Sequence, residues 1–215
     1  MLMTDLTTRV RTGGLVDGDA SRERPLGLSD DAFEQRRPVR GQITKSEVRA
    51  VSLYALGLQP DSIVWDIGAG TGSVAVEAAR IAYRGRVYAV DKDADSADLL
   101  ETNVARYGDE RVTVIIGAAP DVLEDLPDPD SVFIGGGGAA MPRIIDEVVG
   151  RLSPGGRVVA NFAAMERAND TYKTMKQMSL APQMTMVAAS RGRELPDETL
   201  RLEAMNPVFV VWGQK

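Results

Sequence analysis

The sequence contains neither cysteine nor histidine, and only 5% of its residues are aromatic. Without cysteine, disulfide staples, thiolate metal sites and sulfur nucleophiles are excluded, and stability must come from packing. Without histidine, the usual general base, the usual metal imidazole and any Ser-His-Asp arrangement are missing. What remains is the chemistry of carboxylates, lysine, tyrosine, amides or a bound cofactor, and no metal-ligand set is visible. A run of about 20 apolar residues, the length needed to cross a bilayer, is absent too, and the first 25 residues mix charges and glycines where a signal peptide would be apolar. The chain is therefore expected to be soluble and cytoplasmic, with no membrane partner. A net charge of −6 suits a phosphate backbone poorly, so nucleic acid is not an expected partner either.

What is present is 44% hydrophobic residues in a chain of 215, enough for one large core. Residues 1–36 carry Gly13, Gly14 and Gly18 among scattered arginines, with no sustained period, and read as a flexible arm or a loosely docked entry segment. Residues 37–215 read as a single domain. A helix is expected from Thr44, which forms a capping-box pattern with Glu47, and Val48, Val51, Ala55 and Leu58 follow at helical spacing. The chain then alternates: strands over 62–67, 86–90, 111–116, 131–134 and 157–161, and helices over 73–83, 94–107, 120–126 and 142–152. Apolar strands separated by helices imply an α/β fold with a mainly parallel sheet, ligands binding at the strand C-termini. Segments 183–189 and 208–212 break the alternation and read as an antiparallel pair at the sheet edge.

Between the first strand and its helix lies Asp66-Ile67-Gly68-Ala69-Gly70-Thr71-Gly72. Its glycines allow a sharp turn and close approach of a ligand, and the helix behind offers free N–H groups. A dinucleotide loop would place its third glycine one residue later, where this chain has Ser73. G-x-G-x-G suits the methionyl end of S-adenosylmethionine better than a pyrophosphate. Asp91 ends the second strand, where an acid can accept from a ribose diol, or simply cap a helix. Asp66 could face the methionyl ammonium or brace the loop from behind. Gly117, Ala118 and Ala119 end the third strand, leaving room for an adenine. The glycine run 135–138 after the fourth strand reads as a close approach of substrate, a mobile lid, or an ordinary loop.

These features resemble the decarboxylating C15-methyltransferases of cobalamin biosynthesis, which act on precorrin-6B or its cobalt form. The resemblance runs from about residue 38 to Lys215. It rests on Ile43-Thr44-Lys45-Ser46-Glu47-Val48-Arg49, on the glycine loop, on Phe133-Ile134-Gly135-Gly136, on Leu152-Ser153-Pro154-Gly155-Gly156-Arg157, and on Ala204-Met205-Asn206-Pro207-Val208-Phe209. It implies a Rossmann-like class I methyltransferase fold with a seven-stranded, mostly parallel sheet and an antiparallel last strand. It also implies a homotetramer, and S-adenosylmethionine held by Thr44, Asp66, Gly68, Ala69, Gly70, Thr71, Gly72, Asp91, Gly117, Ala118 and Ala119. The resemblance implies an Asp, usual in the family, where this chain has Ala118. For the tetrapyrrole substrate, Lys45, Gly135, Gly136, Gly137, Asn161 and Arg191 are the candidates, with Arg40, Arg49 and Arg193 as further basic contacts. A methyltransferase of this fold acting on RNA, protein or another small molecule is the alternative, and a nicotinamide oxidoreductase a more distant one.

Overall fold

The computed structural model describes residues 26–35 and 43–215. Helix α1 (Ser46–Leu56) leads into β1 (Ile63–Ile67), and α2 (Ser73–Ile81), β2 (Arg86–Asp91), α3 (Ala97–Tyr107), β3 (Val112–Ile116) and β4 (Ser131–Ile134) follow. The chain continues through α4 (Met141–Arg151), β5 (Arg157–Phe162), α5 (Met165–Gln177), β6 (Gln183–Val187), β7 (Ser190–Glu194), β8 (Leu200–Ala204) and β9 (Val208–Gln214). Seven strands form one sheet in the order β3-β2-β1-β4-β5-β9-β6, while β7 and β8 form a separate hairpin. The first five are mutually parallel, and β9 runs antiparallel to both β5 and β6. No described helix is long and apolar enough to cross a membrane.

Burial on both faces explains the unbroken apolar strands. Val64, Ala89, Phe133 and Val159 face one layer with α1, α2 and α3, whereas Trp65, Val90, Val132 and Val158 face the other with α4 and α5. The alternation gives Asp66 the α2 side of the sheet, since it shares the parity of Val64. Strand order reverses between β1 and β4, so their C-terminal ends diverge into loops on either side of a crevice.

The structure refines three expectations. Helix α1 begins at Ser46, its N-cap is Lys45, and no side chain caps it; Thr44 forms no capping box because Glu47 is held by Arg191 and Ser46 instead. The described end of the N-terminal segment, residues 26–35, follows the docked alternative: Phe33 is buried and meets Tyr107 edge-on at 5.7 Å, and Tyr107 Oη donates to Ala32 O at 2.9 Å. The segment between the two late strands is the β7–β8 hairpin, and α5 lies where the sequence reading placed no element.

Candidate active site

The glycine loop turns through positive φ at Gly68 (77°), Gly70 (55°) and Gly72 (74°), backbone that side-chain-bearing residues rarely adopt. Gly68 N and Ala69 N donate to Val90 O at 2.8 and 3.1 Å, fastening the loop to the end of β2. A Cβ on Gly68 would lie 2.9 Å from Gly136 N, and one on Gly135 would lie 2.8 Å from Gly68 O. The loops after β1 and β4 thus pass backbone against backbone, which accounts for Gly68 and, within the run 135–138, for Gly135. Gly136 and Gly138 have open space where a Cβ would stand.

Asp66 sits behind the loop. Its Oδ2 accepts from Ala75 N at 2.8 Å, in the first turn of α2, whereas Oδ1 is buried without a partner. Burial pushes its pKa up to about 7; the bond from Ala75 opposes the rise and the charge of Asp91 adds to it. Of the two roles open in the sequence, bracing is visible in this bond, and the unpartnered oxygen leaves a second one available. Thr71 Oγ1 is also buried without a partner.

Asp91, half-buried at the end of β2, accepts from Gly70 N at 2.7 Å and from Asp93 N at 2.9 Å. It therefore shapes the loop as well as facing a cavity of about 440 Å³, lined among others by Gly68, Gly70, Asp91, Gly117, Ala118 and Ala119. A second cavity, of about 670 Å³, opens between the run 135–138, Met141, Asn161, Phe162 and α5. The two linings have Gly136, Gly137 and Gly138 in common. Asn161 lines the second cavity while its Nδ2 donates to Ser52 Oγ on α1 at 2.9 Å.

Other candidates stand elsewhere. Thr44, Asp66, Ala69, Thr71 and Gly72 line neither cavity. Thr44 O instead accepts from Arg49 Nη1 at 2.7 Å. Arg49 is no surface contact: it is 1% exposed, bonded to Glu77, Asp30 and Leu28 O. Arg191 reaches Glu47 at 2.6 Å and Asp30 at 2.7 Å; its hydrogen bonds hold the Glu47 carboxyl down at about 2, and Glu47 raises Arg191 in turn. Lys45 Nζ lies 3.7 Å from Asp30, and Arg193 is paired with Glu203 at 2.8 Å. Arg49 is thus enclosed and is corrected as a substrate contact, whereas Lys45, Arg191 and Arg193 keep side chains 46%, 41% and 67% exposed and stay candidates; Arg40 lies outside the described residues. The sequence reading missed the α5 wall, with Arg167, Asp170, Thr171 and Thr174. Its one available signal was their shared helical face.

A seven-stranded sheet with β9 reversed beside its edge, and a triple-glycine turn facing a cavity at the β1–β4 crevice, defines the class as a Rossmann-like methyltransferase. The comparisons then narrow it. The family described as a precorrin methyltransferase domain matches residues 31–212, and the chain belongs to it. A Pyrobaculum calidifontis protein named "Probable cobalt-precorrin-6B C(15)-methyltransferase (decarboxylating)" is 37% identical over 187 residues, 86% of this chain and 94% of that one. Among solved structures, the precorrin-6y C5,15-methyltransferase of Geobacter metallireducens matches with a TM-score of 0.82 at 34% identity, over 88% of this chain and 98% of that one. The precorrin 8W decarboxylase of Methanobacterium thermoautotrophicum gives a TM-score of 0.80 at 29% identity, over 86% of this chain and 98% of that one.

Proposed function

We propose that this methyltransferase uses S-adenosyl-L-methionine to methylate C15 of precorrin-6B or its cobalt form and releases the ring C acetate as CO2. The observation that carries the reading is the pair of cavities meeting across Gly136, Gly137 and Gly138, one beside the glycine loop and one large enough for part of a macrocycle. The activities for which the relatives are named supply the substrate.

The residues present fit the cofactor. Gly68 and Gly70 leave one face of the loop bare, Asp66 Oδ1 is a buried acceptor awaiting a donor, and Asp91 ends β2 on the cavity. When bound, the cofactor supplies an electrophilic methyl on a sulfonium. In this reading Asp91 accepts from the ribose hydroxyls, while Gly117, Ala118 and Ala119 leave room for adenine. No base is required of a chain without histidine, because C15 belongs to an electron-rich, enamine-like system. Alignment of the two reactants is the protein's main contribution, and can supply roughly 7–11 kcal/mol of a barrier. When the acetate leaves as CO2, the electron pair of its broken C–C bond passes into the conjugated macrocycle, which acts as the sink.

The same reading makes the protein a cytoplasmic homotetramer. The β7–β8 hairpin supports it: Leu200 and Leu202 are 77% and 73% exposed, and both stand on the Gly192 side of the hairpin. Incubation with methyl-labelled S-adenosylmethionine and precorrin-6B, following label and CO2 together, tests the activity. Equal yields of methylated product and CO2 are expected; absence of both removes the reading.

A further inference from the structure

The second cavity is walled on one side by a single face of α5. Arg167, Asp170, Thr171 and Thr174 follow at spacings of three, four and seven from the arginine, and all four line the cavity. Across from them lie the glycine strip and an apolar floor that includes Met141, Ile145 and Phe162. Arg167 is exposed and makes no ion pair or hydrogen bond with any described residue, Asp170 included. This sets it apart from Arg49, Arg143, Arg151, Arg191 and Arg193, each of which faces a carboxylate within 4 Å. Among the described residues it is the one cation on this cavity's lining.

A planar guanidinium with all its donors free, at the wall of an otherwise neutral or acidic cavity, is suited to bidentate recognition of a carboxylate. We propose that Arg167 is a specificity-determining residue that binds one peripheral carboxylate of the tetrapyrrole, and that this carboxylate is retained in the product. The inference rests on the function proposed above. Pairing of Arg167 with the departing acetate would stabilise the ground state and slow its loss. With Arg167 engaged by a retained acid side chain, the described lining left to the departing acetate is glycine backbone, apolar surface, the Asn161 amide, the Thr171 and Thr174 hydroxyls and Asp170.

The test uses the full chain with Arg167→Gln and Arg167→Lys. Exposure of the side chain makes both substitutions harmless to the fold. For Arg167→Gln the KM for precorrin-6B should rise by about 10- to 100-fold, the scale of a lost charged hydrogen-bond pair. Arg167→Lys should fall between the two, because the charge stays and the fork is lost. The affinity for S-adenosylhomocysteine and the ratio of CO2 to methyl transferred should not change. Uroporphyrin III, a tetrapyrrole octacarboxylate, serves as an equilibrium probe by fluorescence quenching, and its dissociation constant should shift in parallel with KM. If the wild type turns precorrin-6B over and Arg167→Gln moves neither constant, the Arg167 proposal is overturned while the function stands. If the wild type does not turn it over, the function reading fails, and weaker uroporphyrin binding by Arg167→Gln still supports a carboxylate site. An excess of CO2 over methyl transfer in Arg167→Gln would show the arginine on the departing group and overturn the assignment.

Discussion

Asp66 and Ala118 carry the sharpest residue-scale predictions. In the folded chain Asp66 keeps its proton up to about pH 7, whereas an unfolded carboxyl releases it near pH 4, at about 3.9. Between those values the unfolded state has lost a proton that the folded state keeps, so this group makes stability fall as pH rises. The limiting slope is about 1.4 kcal/mol per pH unit, with no contribution below pH 4 and a constant penalty above pH 7. Asp66→Asn should remove that slope and leave the cofactor-free variant more stable than wild type at pH 8; urea denaturation at pH 5, 6 and 8 checks it. Identical pH dependence in the two proteins would refute the assignment. Ala118, exposed on the lining of the smaller cavity, stands where the resemblance implies an acid. Ala118→Asp should tighten S-adenosylmethionine and S-adenosylhomocysteine alike, by about 0.5–1.5 kcal/mol for one added hydrogen bond. A gain limited to the sulfonium ligand, measured by calorimetry, would place adenine elsewhere. The cavity positions of Gly68, Gly70 and Asp91 were legible because turn chemistry and strand ends are local. The fates of Arg49 and Arg191 were not, since Glu77 lies 28 residues from one and Asp30 lies 161 from the other.

At the scale of elements, legibility followed burial. The strands β1, β4 and β5 are short apolar runs between turn residues, and their buried faces made them readable. Helix α5 hid because its buried positions are Ala168, Thr171 and Met175, one small and one polar, on an otherwise hydrophilic stretch. The hairpin hid because neither β7 nor β8 buries a residue. Least legible was how the N-terminal segment joins the glycine loop. Asn103 on α3 is fully buried; its Nδ2 donates to Thr71 O and Glu34 O, both at 3.0 Å, and its Oδ1 accepts from Glu34 N at 2.8 Å. Asn103→Ala leaves three backbone groups short of partners, and should cost about 1–3 kcal/mol of stability for each group that water cannot reach. It should also weaken S-adenosylhomocysteine binding through the loosened loop. Calorimetry on the folded variant decides: an unaltered dissociation constant would mean the clamp serves stability alone.

At the scale of the whole molecule, the hairpin is a two-stranded sheet of its own, tethered through Arg191 to Glu47 on α1 and to Asp30 in the N-terminal segment. Its apolar side is left to solvent, so Leu202→Asp should dissociate the proposed tetramer without unfolding the chain. Sedimentation velocity reads this directly, and an unchanged mass would exclude that face from the assembly. The strip Gly136, Gly137 and Gly138 links the two cavities in another way. A partition made of backbone alone has no side chains to insulate one side from the other, and unliganded glycines hold more conformational freedom than any other residue. Whichever ligand arrives first bears the entropy of stilling the strip, and the second finds it already still. Each must then raise the other's affinity by the same factor, a positive and reciprocal linkage. Singly liganded protein would be scarce beside the empty and doubly loaded forms, so that a methyl donor is seldom held for long without something to receive its methyl.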